Sequence, residues 1–286
     1  MVLLLALVTF AYAKRVRTLR GGNRAVSGLR QFSFYLAIFV LLAEPVSPLG
    51  TQDENSFIAH MIEHILIGDF AALLMVLGIT GPLIQPLLRN PVIHAIRPLT
   101  HPAVALPLWV ANTYIWHIPF FFEAALGSEP VHVLQHILFF STSFNVWMAL
   151  FGPLPQPAWF GNIAKLAYIV LARMSMVVLG NVFVFSSTSY YDDYARAENP
   201  WGLTAAADQS FAGAVMMAEG SLVLFLLFGW MFFRAASEGE ESQQLLEFAD
   251  QHGVEMSESR SARAASAGMT DYHRERIASG IDKPES

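Results

Sequence analysis

Two histidine pairs at helical spacing, His60 and His64 in HMIEH and His132 and His136 in HVLQH, are the residues of this chain best suited to chemistry. Residues four apart on a helix share a face, with Cβ atoms about 5–6 Å apart, so each pair can direct two imidazoles at one point. Imidazole ligates copper, zinc, iron and nickel. The chain has no cysteine, which rules out thiolate sites and disulfides and leaves imidazole, carboxylate and thioether as donors. Two such pairs on neighbouring helices, with a carboxylate nearby, would make a metal site inside a bundle.

The elements that must position these residues are membrane helices. Of the 286 residues, 54% are hydrophobic and 14% charged, with a mean hydropathy of +0.44, more apolar than a soluble domain of this length needs. Seven apolar stretches, at residues 1–13, 31–50, 57–83, 102–122, 131–151, 164–186 and 209–233, predict an all-α polytopic bundle of about seven transmembrane helices. The first stretch would rise only about 20 Å as a helix, which points to a start inside a longer segment. A cleaved signal peptide is disfavoured, because Lys14, Arg15, Arg17 and Arg20 follow the apolar run instead of preceding it.

Basic residues orient this bundle. Lys14 through Arg30 fall in the first connection, Arg89 and Arg97 in the third and Lys165 in the fifth, against only Arg196 in the alternate ones. The positive-inside rule then places the amino terminus outside and the carboxyl terminus in the cytoplasm. Residues 1–234 form the expected membrane bundle. Residues 235–286 carry eleven acids against five Lys and Arg, the whole formal charge of −6, and are expected to be an acidic, mostly disordered cytoplasmic tail with a short helix over 240–251.

With that topology His60, His64, His132, His136 and Asp208 begin the third, fifth and seventh segments, and His117 ends the fourth. All six reach the extracytoplasmic side. Asp69, Arg173 and Glu219 lie deeper, where an unpaired charge costs several kcal/mol (about 2.5–3.5 on insertion scales). An Arg173–Glu219 ion pair is the expected arrangement, and a polar track inward from Asp208 the alternative. Met174, Met176, Met216 and Met217 share those helices; thioether suits Cu(I), but methionine also fills apolar space without any ligand role. His94, His101, His252 and His273 read as ordinary solvated or interfacial residues.

HMIEHILIG, THPAVALPLWV, WHIPFFFEAAL, VHVLQHILFF and WGLTAAADQSFAGAVMM, in this order, resemble the multi-pass CtaG-type assembly factors of caa-type cytochrome c oxidase. The resemblance runs from about Ser33 to Arg234. It implies a bacterial plasma-membrane protein that matures the oxidase by handling copper, with oxidase subunits and the bilayer as partners and no nucleic acid. Its implied site is His60, His64, His132, His136 and Asp208, with His117, Glu63, Met176, Met216, Arg173 and Glu219 in support. Three features depart from the family pattern: the short first segment, Glu63 in place of an uncharged polar residue, and Arg173-Met174-Ser175-Met176 where relatives place a histidine.

Glu63 opens a rival reading, since HMIEH fits H-x-x-E-H, in which two histidines hold zinc and a glutamate activates water. A zinc metallohydrolase also needs a third ligand and an open coordination position, and it leaves the second pair unexplained. A haem protein with one axial histidine from each pair would leave the second histidine of each pair without a role, and a purely structural scaffold would require none of the four. The two complete pairs favour a metal site that uses all four histidines, and the resemblance implies that it belongs to a non-catalytic, copper-binding assembly factor.

Overall fold

The computed structural model describes residues 2–22 and 24–281. All regular structure among them is helical, as the apolar stretches predict. Among the described residues five helices are long and apolar enough to cross a membrane: Gly28–Val46, Phe57–Gly78, Glu129–Phe151, Asn162–Val184 and Ala205–Gln251. That is fewer than the seven expected, for two local reasons. Val2–Leu19 is helical but carries Lys14, Arg15 and Arg17. The stretch expected at 102–122 is broken into Pro102–Trp116 and Pro119–Leu126, because the residue before a proline disfavours the helical conformation; fifteen residues rise only about 22 Å.

The helix of the first histidine pair changes its winding along its length. Phe57–His64 is α-helical, Ile65–Ala71 is wound as a π-helix, and Ala72–Gly78 is α-helical again. Such i→i+5 segments are rare and concentrate at functional sites. The π-helical segment packs on Glu129–Phe151, close enough that a Cβ on Gly68 would stand 3.1 Å from Ser143 Oγ. Glu129–Phe151 also contacts Ala72–Gly78, Pro102–Trp116 and Pro119–Leu126. The two histidine-bearing helices are therefore direct neighbours. Asn162–Val184 meets the start of Ala205–Gln251 through Gly180 and Gly213, where a Cβ on either residue would fall within 2.6–2.8 Å of the other's carbonyl. Small residues permit this approach between membrane helices.

The chain divides into two compact units, one up to Leu222 and one from Val223 onward. The expected boundary at 234/235 falls inside the helix Ala205–Gln251. Where a mostly disordered tail is expected, the second unit contains the helices Glu258–Ser266 and Thr270–Ala278, with Leu245, Ala249, Val254, Ala264 and Ile277 buried together. These few apolar residues are spaced through a charged, serine-rich sequence, so composition masks them. Residues 282–286 of the expected tail lie outside the described residues.

Candidate metal centre

The amino end of the first-pair helix is fixed from another helix. Ser56 occupies the cap position and its Oγ accepts from Ala59 N at 3.4 Å. Asp208 completes the cap: Oδ2 accepts from Phe57 N at 2.6 Å, and Oδ1 accepts from Ser56 Oγ at 2.9 Å and Ile58 N at 3.3 Å. A carboxylate at this position meets the unpaired amides and the positive end of the helix dipole. Its neighbour Gln209 pins the preceding loop, donating to Thr188 O and accepting from Tyr190 N.

One turn into that helix the four histidines converge. His60 and His64 rings lie 4.4 Å apart, His132 and His136 4.3 Å, and across the helices His60 meets His132 at 5.4 Å and His64 meets His136 at 5.1 Å. His60 Nε2 and His64 Nε2 are 2.7 Å apart, and neither Nδ1 has a partner. In that contact one ring donates and the other accepts, so the accepting ring has its proton on Nδ1 with nothing to receive it. His132 Nε2 and His136 Nε2 are also buried without a hydrogen bond. Stranded imidazole nitrogens of this kind call for an explanation, and a cation among them would use their lone pairs.

Carboxylates close the other side. Glu63 Oε1 stands 3.6 Å from His136 Nε2, and Asp53 Oδ2 3.9 Å from His132 Nε2. Glu63 Oε2 is buried without a hydrogen-bond partner. Asp53, His60, Glu63 and His132 each present one donor atom, all within 4.8 Å of one another. A tetrahedron with bonds of about 2.0–2.1 Å has edges of about 3.3 Å, so modest side-chain rotation would bring these atoms to bonding distance. With both carboxyls ionised, Asp53 and Glu63 would offset a divalent ion without further charge.

The surroundings keep the site rigid on one flank and open on another. The loop holding Asp53 is tied by Tyr194 Oη, which donates to Asp53 O at 2.8 Å; burial pushes this phenol far above its ordinary value, which preserves the donor. Burial likewise raises the Asp53 carboxyl, with His132 acting in the opposite direction. Phe122 packs 4.8 Å from the His60 ring and stacks on Tyr191, while Phe57 sits among Phe122, Phe183, Tyr191 and Tyr194. The side chains of His132 and His136 are about one-fifth exposed, which leaves an approach for an ion from that edge.

Below the tetrad lies a void of about 20 Å³, bordered by His64, Met61, His117, Asp69, Met176 and Met216 among others. Asp69 leads to a buried triad. Arg173 Nη2 donates to Asp69 Oδ1 at 2.6 Å, and Arg173 Nη1 reaches both Glu219 oxygens at 3.3 Å. The guanidinium also faces the Trp147 and Trp109 rings at 5.3 and 6.0 Å.

Residues 10–238 match the model of the cytochrome c oxidase caa3 assembly factor family, Caa3_CtaG. The chain belongs to this family. Curated relatives include the uncharacterized protein ML1998 of Mycobacterium leprae (strain TN), 22% identical over 233 residues, covering 74% of this chain and 35% of that protein. The uncharacterized protein Mb0105 of Mycobacterium bovis (strain ATCC BAA-935 / AF2122/97) is 25% identical over 190 residues, covering 60% and 28% respectively. The chain thus spans about a third of the length of the curated relatives it matches. No solved structure matches it.

In this Caa3_CtaG chain the structure gathers His60, His64, His132, His136 and Glu63 into one cluster. Asp208 is buried outside the Asp53–His60–Glu63–His132 group, its oxygens occupied by the helix cap. His117, Met176 and Met216 line the void, and Arg173 and Glu219 stand in the triad beyond it. Met174 is exposed and Met217 packs towards Gly180. Sequence reasoning overlooks Asp53 as a partner of the histidines. It precedes the first-pair helix, and no spacing rule relates a residue in an irregular connection to a helix face; the one cue was a cluster of acids, Asp53 and Glu54, beside HMIEH.

Proposed function

We propose that this Caa3_CtaG protein is a non-catalytic assembly factor for a cytochrome c oxidase in the bacterial plasma membrane. It binds copper through the histidine tetrad and its carboxylates and presents the ion to an immature oxidase subunit. Val2–Leu19 and the paired helices from Pro102 to Leu126 bring the membrane crossings to seven, with the amino terminus outside and the carboxyl terminus cytoplasmic, so that the site faces the extracytoplasmic side. The single observation that carries the metal reading is the convergence of His60, His64, His132 and His136, with buried nitrogens on all four rings lacking partners. Family membership supports the oxidase. Imidazole and carboxylate donors of moderate affinity favour transfer by ligand exchange over permanent retention, and no bond of a substrate needs to be broken.

The test is metal analysis of the purified protein beside a His60/His64/His132/His136 alanine variant, each with a parallel assay of oxidase maturation in cells. Copper in the wild type alone, with maturation lost in the variant, is the expected result. Equal copper content in the two would remove the site. A metallohydrolase is tested by Glu63→Gln, which on that reading keeps the metal and loses a hydrolytic activity.

A further inference from the structure

The void beneath the tetrad contains a contact that hydrogen bonding does not explain. His117 Nδ1 lies 2.7 Å from Thr113 O; a carbonyl only accepts, so Nδ1 carries the proton and Nε2 of the neutral ring is bare. That bare nitrogen stands 3.4 Å from Met61 Sδ, which has no proton to give. Two lone pairs therefore face each other inside the protein. A cation bonded to both at ordinary lengths, about 2.0 Å to nitrogen and 2.3 Å to sulfur, would subtend an angle of about 105° at that N···S separation, close to tetrahedral without moving either atom. Buried Met176 and Met216 border the same void, and about 20 Å³ suffices for one ion or one water molecule.

Donor chemistry favours a soft monovalent ion here. Asp69 borders the void, and Asp69 and Glu219 together face the single guanidinium of Arg173. That triad is neutral once one of its two carboxyls holds a proton, so an ion of the lowest charge adds least to a costly buried environment. Thioether and imidazole suit Cu(I).

We propose a second metal site, in which His117 Nε2 and Met61 Sδ, with Met176 and Met216, bind Cu(I) in the void beneath the histidine tetrad. It rests on the copper reading above for its physiological ion. It is separate from the Asp53–His60–Glu63–His132 group in donor chemistry, and His64 borders both, so the two sites are adjoining stations for one ion.

The experiment is a titration of the full-length, detergent-solubilised protein with Ag(I) in chloride-free buffer, as a redox-inert probe of the soft site, and with Zn(II) as a probe of the tetrad. Met61→Leu/Met216→Leu is expected to weaken Ag(I) binding by at least about tenfold and to leave Zn(II) binding unchanged. His132→Ala/His136→Ala, which alters no residue bordering the void, is expected to do the reverse. Because repacking could itself disturb the variant, unmutated protein labelled with ¹³C at the methionine methyls gives a second readout: one equivalent of Ag(I) shifts the Met61 and Met216 resonances. Equal Ag(I) affinity in wild type and Met61→Leu/Met216→Leu, or methyl resonances unmoved by Ag(I), overturns the second site. A wild type that binds Ag(I) but not Zn(II) would instead count against the tetrad alone.

Discussion

Asp208 separates two roles that make opposite predictions. If it is a metal ligand, as the resemblance implies, Asp208→Asn removes an anionic donor and metal content falls while the fold is spared. If it is the cap seen in the structure, the same change costs stability and leaves the metal nearly untouched. The carboxylate is 1% exposed and accepts from Phe57 N at 2.6 Å, Ser56 Oγ at 2.9 Å and Ile58 N at 3.3 Å. Hydrogen bonds to a charged group contribute about 1.5–3 kcal/mol and neutral ones about 0.5–1.5, so exchanging the carboxylate for an amide forfeits about 1 kcal/mol at the strongest contact. With the amide oxygen kept on Phe57 N, the NH₂ takes the place of Oδ1, which strands the Ile58 N–H and leaves Ser56 Oγ able only to accept at that contact. Loss of the charge–dipole interaction adds about 0.3–1 kcal/mol. The expected total is about 2–3 kcal/mol, or a fall in Tm of about 5–10 °C for a unit of this size.

The assay pairs thermal unfolding in detergent with amide hydrogen exchange at residues 57–59. Local opening of the first turn should accelerate exchange there even below the global transition. Asp208→Ala, which strands all three donors, should cost more than Asn. A Tm within about 1 °C of wild type, unchanged exchange at residues 57–59, and a loss of bound metal would refute the capping argument and restore Asp208 as a ligand.

Three further outcomes follow from the same geometry. Asp53→Asn should weaken metal binding yet stabilise the metal-free protein at neutral pH. Burial raises the Asp53 carboxyl above its unfolded value, so its ionisation costs stability as pH rises through the folded pKa; asparagine escapes this, and unfolding curves for the two proteins should converge below the unfolded carboxylate pKa. Arg173→Gln should destabilise by about 3–5 kcal/mol, since it leaves Asp69 and Glu219 buried without their cation, and Arg173→Gln/Glu219→Gln should recover part of that loss in a thermal scan. Gly213→Ala places a Cβ 2.6 Å from Gly180 O and 2.9 Å from Phe183 Cβ, so the helices must separate; an overpacking cost of about 1–3 kcal/mol should appear as a lower Tm, with a milder effect at half-buried Gly229, where a Cβ meets nothing.

What was legible in the sequence is what repeats along a helix. The i,i+4 spacing of His60/His64 and His132/His136 and the apolar run around each pair predict two helices with paired imidazoles, and the structure sets those rings 5.1–5.4 Å apart across the interface. Residues contributed from irregular backbone were not legible. Asp53 enters through a connection held by Tyr194, and no periodicity describes that loop. Asp208 shows a different limit: its position at the start of an apolar helix suggested proximity to the first-pair helix, and its oxygens do meet Phe57 N and Ser56 Oγ there, but proximity to a helix start gives a carboxylate two uses, ligand or cap, which spacing does not distinguish. The same ambiguity governs Arg173. Hydropathy identifies a charge that needs a partner, and Glu219 at similar depth is the obvious one, but the shorter contact is to Asp69, on a π-helical segment that no hydrophobic pattern announces. The second carboxyl changes the chemistry as well as the pairing: an ion pair is neutral as it stands, whereas a triad of two acids and one base is neutral only when one acid keeps its proton or a second cation joins it, and Asp69 is the member of that triad that borders the void.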